Sequence, residues 1–295
     1  MKAIIFGING QDGYYLKQLL ISNTIEVIGV SRSSGDWIKG NIADFGFVEQ
    51  LIKTIRPQYV FHLAANSVTS HGAMFENHET IATGTLNLLE AVYRYSKNTK
   101  VFLSGSAVQF ENRGQPIDEH TPFAALSPYA VARIQSVYAA RYFRNLGLQV
   151  YIGYFFHHDS PLRGEKHINQ RIVRVVQRIS AGSDEIIEIG DLKAKKEFNF
   201  AADLMEAIWI LVNQNMHFEA VIGSGKAYSI EDWLQICFAY FCLDWQKYVV
   251  QIENFNSSFQ ILVSNPFVIH SLGWKFQIDI NNLAKMMIQY NGGKR

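Results

Sequence analysis

The sequence predicts an α/β protein: a doubly wound parallel sheet with a smaller C-terminal lobe. Three observations carry this. Short β-rich runs alternate with amphipathic helical patterns through residue 156. A glycine-rich turn joins the first strand to the first helix. After about residue 157 the rhythm loosens into helices, short strands and turns. Strict β-α-β alternation is the signature of a parallel sheet, and a lobe over the carboxyl ends of its strands suits a ligand site there.

Taken in order, "KAIIF" (2–6) reads as a buried strand and is followed by a helix from about Asp12 to Ile21. "IEVIGV" (25–30) is a second strand, and a helix follows from about Asp44 to Ile55, ended by "RPQ". "YVFHLA" (59–64) is the third strand, before a long helix over roughly 76–95. "KVFLSG" (100–105) is the fourth. The helix within 127–147 has Pro128 at its first turn and Gly147 past its end, and "LQVYIGYFF" (148–156) is a further strand. The pattern divides the chain into a unit at 1–156 and a lobe at 157–295, some of whose segments return to the first unit.

The 295 residues are 48% hydrophobic, enough for a large core. Lys plus Arg is 27 against 26 Asp plus Glu, a net charge of +1 with no basic run, which argues against nucleic acid. The longest apolar runs, such as "AIWILV" (207–212), fall far short of the ~20 residues of a spanning helix. No membrane partner and no signal peptide are expected, and the cytoplasm is the expected compartment. Cys237 and Cys242 are read as two buried thiols on one helix, with no disulfide or metal implied.

Gly7, Gly10 and Gly13 in "FGINGQDGYYL" let the backbone turn tightly and bring a helix N-terminus to a pyrophosphate, with Gln11 and Asp12 in the same turn. The second strand ends "GVSRSS" (29–34). It offers Arg32 and Ser33 in place of the acid that would hold a ribose 2′-hydroxyl, which suits a 2′-phosphate. NADP is the expected cofactor, with NAD as the alternative. Asn41 is placed at the adenine edge and Ala64 among the cofactor contacts. His157-His158-Asp159 looks like a metal cluster, but adjacent side chains rarely converge on one ion, so no metal is expected.

These motifs resemble the extended short-chain dehydrogenase/reductase superfamily with its Rossmann-type sheet, and within it the GDP-mannose 4,6-dehydratases and related GDP-4-keto-6-deoxymannose reductases. "GINGQDGYYL", "RPQYVFHLAANS" (56–67), "FFHHDSPLRGEKHINQRI" (155–172), "KKEFNFAADL" (195–204) and "HSLGWKFQIDINNLAKMMI" (270–288) carry the resemblance over nearly the whole chain. It implies four chemical residues: a Thr or Ser on the sugar O4, a Glu two residues later for the C5 proton, a Tyr for the O4 proton, and a Lys four residues on that favours the phenolate and holds the nicotinamide ribose.

Tyr129 matches the Tyr, while Arg133 stands at the Lys. The segment S-T-S-E-L-Y-G aligns with residues 104–110, so Gly105 faces the hydroxyl and Ala107 the Glu. Ser104 and Ser106 flank the gap, and either could reach the sugar. A permanent cation about 4 Å from a phenolate contributes roughly 4 kcal/mol at an effective dielectric of ~20, so arginine preserves the electrostatics with a bulkier fork. In the lobe the resemblance implies a GDP-sugar substrate, with His157 for the family Asn, Lys196 for an Arg, Arg171 for a Lys, and Arg163 and Glu165 retained.

Alanine transfers no proton. The residues therefore favour a nucleotide-sugar oxidoreductase that reduces a 4-keto-6-deoxy sugar. Two alternatives stand beside it. One is a GDP-mannose or GDP-heptose 4,6-dehydratase with a rearranged base, His71 or His157 moving in. The other is a catalytically degenerate protein that binds dinucleotide and sugar nucleotide. A homodimer or higher homo-oligomer is expected through the helices at 76–95 and 127–147.

Overall fold

The computed structural model describes residues 1–255 and 257–290. Its first strand, β1 (Lys2–Phe6), enters the glycine turn and continues as α1 (Gln11–Ser22). Next come β2 (Glu26–Ser31), the short β3 (Ile38–Lys39), α2 (Phe45–Ile55) and β4 (Tyr59–His62). Asp44 starts α2 by accepting Phe47 N–H, which satisfies an otherwise orphaned donor.

The helix expected as one piece over 76–95 is a composite. A 3₁₀ turn (His71–Ala73) leads into α3 (Met74–Asn77), a π turn (His78–Thr83) and α4 (Gly84–Tyr95). The π turn presents Ile81 and Ala82 to Tyr129 and Ala132 in a small buried cluster. Gly84 follows because a Cβ there would lie 2.7 Å from Ile42. β5 (Lys100–Ser106) is followed by α5 (Pro128–Asn145), whose first turn is capped by the Ser127 hydroxyl on Ala130 N–H. Then β6 (Gln149–Phe155) closes the first half.

The second half contains β7 (His158–Asp159), α6 (Ile168–Ser180), β8 (Ile187–Ile189), β9 (Lys195–Glu197), β10 (Asn199–Phe200), α7 (Ala201–Val212) and β11 (Glu219–Ile222). After these come β12 (Ala227–Ser229), α8 (Ile230–Ala239), β13 (Val249–Gln251), β14 (Ile261–Leu262), α9 (Phe267–Ser271) and α10 (Ile280–Gln289). Seven strands form one parallel sheet in the order β11-β6-β5-β4-β1-β2-β3. The strand order reverses between β1 and β4, and the crevice at such a switch point is where ligands bind.

Apolar side chains of α2, α4 and α5 cover one sheet face, and those of α1 and α7 cover the other. A third core, built on α6, α8 and α10 around Trp233 and Phe238, forms the lobe. β11 pairs with β6, so residues 219–222 join the main sheet. The cysteine expectation is corrected: α8 ends at Ala239, so only Cys237 lies on it, and Cys242 is exposed in the next turn at φ +56°.

Candidate active site

At the carboxyl ends of the strands the glycine turn is forced by contact. Gly7 has φ +91°, and a Cβ on it would sit 2.7 Å from Ala64 N. One on Gly13 would sit 2.4 Å from Gly7 O. Gly10 is the N-cap of α1 and brings no side chain to the first turn, so the helix start is open to an anion. Two adjoining cavities share this turn. One, of about 290 Å³, reaches Ser31, Arg32, Ser33, Asn41 and Ala64. The other, of about 480 Å³, holds Ser104, Ser106, Ala107, Tyr129, Arg133, His157, Arg163 and Lys196. A third, of about 560 Å³, continues from Lys196 to Arg171 and Glu188.

Most of the predicted site residues therefore come together along one cleft. Glu165 does not: it lines none of these cavities and lies 3.9 Å from Arg174 on the surface. His71 is also elsewhere, in an apolar groove with Met74, Phe75 and Leu126. Arg32 is not a free cation. Its guanidinium meets Glu76 at 2.9 Å, and Asn66 donates to the same carboxylate at 2.6 Å.

Gln11 and Asp12 have structural partners. Gln11 accepts from the Ser160 hydroxyl at 2.9 Å, while Asp12 meets His158 Nε2 at 3.1 Å. Burial opposes the Asp12 charge, but His158 and Arg163 together hold its carboxyl below the usual range. The same pairing raises the His158 imidazole against its own desolvation.

Arg133 settles how an arginine fits at the lysine position. It is buried, and its Nη1 donates to the Ser104 carbonyl and, at 2.9 Å, to the Ser104 hydroxyl. That hydroxyl in turn donates to His62 O at 3.0 Å. The extra length of the fork is thus absorbed at the end of β5, and the guanidinium carbon lies 5.0 Å from the Tyr129 ring centroid. Burial and the nearby Arg133 charge push the His62 imidazole down to about 3, so it is neutral.

Ser104 is therefore tied up, whereas Ser106 stays at the cavity wall in a reciprocal cap with Gln109. Gly105 is not an empty position. A Cβ there would lie 2.6 Å from the Tyr154 ring, whose hydroxyl donates to Glu219 at 2.6 Å. Ala107 is buried and lines the same cavity as Tyr129.

Behind the His157 ring lies an acid of the 155–172 segment. The Asp159 carboxylate is fully buried and accepts from His157 Nε2 at 2.7 Å and from Asn169 at 2.6 Å. Arg163 stands 3.3 Å from its other oxygen. The carboxyl is driven far below its usual range: burial opposes this, and His157, Arg163 and Lys196 overcome it. Desolvation lowers Lys196 to about 8 and His157 to about 4, the latter aided by the Lys196 charge.

The sequence pattern of the family described as GDP-mannose 4,6 dehydratase matches residues 4–287. GDP-mannose 4,6 dehydratase 2 of Arabidopsis thaliana is 29% identical, over 97% of this chain and 85% of the relative. Among solved structures, dTDP-glucose 4,6-dehydratase of Bacillus anthracis in complex with NAD superposes with a TM-score of 0.86 at 17% identity, covering 98% of this chain and 96% of that one. RMD from Pseudomonas aeruginosa complexed with NADPH gives 0.84 at 18%, covering 97% and 96%. These structural likenesses show the fold. With the glycine turn, the Tyr129 helix and the lobe all inside the matched span, the chain belongs to the GDP-mannose 4,6-dehydratase family of nucleotide-sugar enzymes.

Proposed function

We propose that the protein binds a nicotinamide dinucleotide along the glycine turn and a GDP-linked hexose in the adjoining cavities, and catalyses GDP-hexose 4,6-dehydration. The reading rests on one observation: adjoining cavities run from Arg32 through Tyr129 to Lys196 and Arg171 inside a chain matched to this family over residues 4–287. The residues fit the cofactor, since Gly7, Gly10 and Gly13 leave the backbone bare where a pyrophosphate approaches. Arg32, Ser33 and Asn41 would hold the adenosine end, and we assign NADP over NAD on the cation at Arg32. When bound, the nicotinamide takes and returns a hydride.

The chain's own residues supply the rest. Tyr129 carries the O4 proton, its hydroxyl making no hydrogen bond among the described residues. Arg133 holds positive charge against the phenol ring. Ser106, which Arg133 does not hold, offers the hydroxyl. Arg163, Lys196 and Arg171 would face the diphosphate and nucleotide. On this reading residues 1–156 hold the cofactor and most of 157–295 the sugar nucleotide. Exposed Val131, Tyr138 and Tyr142 on α5 and Leu86 on α4 would pair two copies. Among the described residues no helix is long and apolar enough to cross a membrane.

A second reading, reduction of a 4-keto-6-deoxy sugar, is favoured by Ala107, which leaves no acid or base at that position. Mass spectrometry separates the two. Loss of water from GDP-mannose with NADP⁺ present is the expected result. No change with GDP-mannose, but two-hydrogen gain by the GDP-4-keto-6-deoxy sugar with NADPH, would reject dehydration in favour of reduction.

A further inference from the structure

We propose that His157, backed by Asp159, transfers the C5 proton of the bound hexose in place of the carboxylate absent at residue 107. This deepens the dehydratase reading and rests on it. The first ground is register. β5 and β6 run side by side with Ser106 opposite Phe155, so Ala107 and His157 leave the sheet at adjacent strand ends. Both line the cavity that holds Tyr129. One strand has lost a proton-transferring side chain, and its neighbour carries one.

The second ground is how the imidazole is held. Nε2 donates to Asp159 at 2.7 Å, which selects the tautomer with its lone pair on Nδ1. Nδ1 makes no hydrogen bond among the described residues. Asn199 fixes the backbone by donating from both its amide groups to His157 O, at 3.2 Å and 3.0 Å. Asp159, Arg163, Lys196 and the Asn169 amide are the polar groups around the ring, with Phe198 at its edge 6.1 Å away. Desolvation and the Lys196 charge keep the ring neutral at pH 7, the state a base requires.

Other imidazoles in the cleft are placed differently. Both nitrogens of His158 are engaged, by Phe156 O at 2.9 Å and by Asp12. His167 faces Arg163 at 3.2 Å and, among the described residues, makes no hydrogen bond to a carboxylate.

The step balances on the sugar alone. With a carbonyl at C4, the C5–H bond breaks and its proton goes to His157 Nδ1. The electron pair becomes the C5=C6 bond, C6–O breaks, and the proton returned by His157 leaves with that oxygen as water. Reversible transfer to C5 also exchanges hydrogen at C5 of a 4-keto-6-deoxy sugar, with no redox step.

That exchange is the test. The full chain is incubated with NADP⁺ and a GDP-4-keto-6-deoxy sugar in D₂O, and deuterium is located by NMR. We expect label at C5, at least a 100-fold loss in His157→Asn, and at least 10-fold recovery when imidazole is added to His157→Ala. A merely structural role would not respond to imidazole. Nitrogen-15 NMR should find a neutral ring protonated at Nε2 at pH 7. The proposal is overturned if the wild type exchanges nothing, if His157→Asn exchanges at the wild-type rate, or if the loss follows His167→Asn instead. Exchange at C5 without water loss from GDP-mannose would keep the role of His157 and reject dehydration.

Discussion

Placing any side chain at residue 105 should destabilise the protein, because Tyr154 occupies that space. The added Cβ of Gly105→Ala would sit 2.6 Å from Tyr154 Cδ1 and 3.2 Å from both Tyr154 Cε1 and Gln109 Oε1. Carbon pairs are comfortable at about 3.5–4.0 Å, so the overlap is close to 1 Å. The ring has no free direction. It is fully buried, packs edge-on against Phe110 at 4.8 Å, and is anchored by its hydroxyl to Glu219. If the ring yields within its site, the cost is that of overpacking, about 1–3 kcal/mol. If it swings out, a charge-assisted hydrogen bond worth about 1.5–3 kcal/mol goes with it. Either route gives a melting temperature lower by about 2–5 °C in a chain of this size. Differential scanning calorimetry on Gly105→Ala, Tyr154→Leu and the double variant measures it. The double variant should lose clearly less than the sum of the singles, since the two residues share one space. A Gly105→Ala protein melting within 1 °C of the wild type, or strict additivity, would refute the reasoning. The functional corollary is that Gly105→Thr alone cannot restore the family hydroxyl. The wall behind it must shrink too.

Three further outcomes follow from the site. Arg133→Ala should lower turnover at least 100-fold by freeing Ser104 and uncovering Tyr129, while Arg133→Lys should lose less because it keeps the charge; equal steady-state rates for all three proteins would make Arg133 a bystander. Calorimetry should show Arg32→Ala weakening NADP(H) about 10-fold and NAD(H) hardly at all, while Glu76→Gln, which removes the carboxylate competing for Arg32, should tighten NADP(H). For Glu219, burial raises its carboxyl, but Arg141, Tyr154 and Arg144 outweigh this and lower it to about 2. Its stabilisation, on the order of 3 kcal/mol, is fully present above the unfolded value near 4.5 and is lost as pH falls through about 2. Glu219→Gln should therefore flatten the melting-temperature profile across that window.

The sheet was legible because its strands are short, apolar and separated by helices with clear caps. Asp44, Ser127 and the glycine turn mark boundaries by chemistry that acts within four residues. The composite helix at 71–95 was not legible, since a π turn leaves no local signature and is set by packing on Tyr129. Arg32 shows the same limit. Its position is local, but its partner Glu76 is 44 residues away. The departures at 105 and 107 could be read from the motif. That Tyr154 fills the space over Gly105 could not, because it meets β5 only through strand pairing. Cys242 was misplaced for a simpler reason: the helix stops three residues earlier, and nothing apolar need end there.

The departures at the site have a common geometry. The cofactor turn and the cations of the lobe keep the residue types that binding needs, while every changed chemical residue sits on the end of β5, on α5 facing it, or on the end of β6. Arg133 reaches across to β5 and consumes Ser104. That leaves Ser106 as the cavity-lining serine of β5 not held by Arg133. Tyr154 of β6 fills the space over Gly105, and His157, just past the same strand, faces the cavity beside Ala107. The buried carboxylate of Asp159 stands 2.7 Å from that imidazole. Holding Asp159 ionised and fully buried is costly, and here it takes His157, Asn169, Arg163 and Lys196 together. The arrangement is accounted for if proton transfer has moved one strand over, from residue 107 to residue 157.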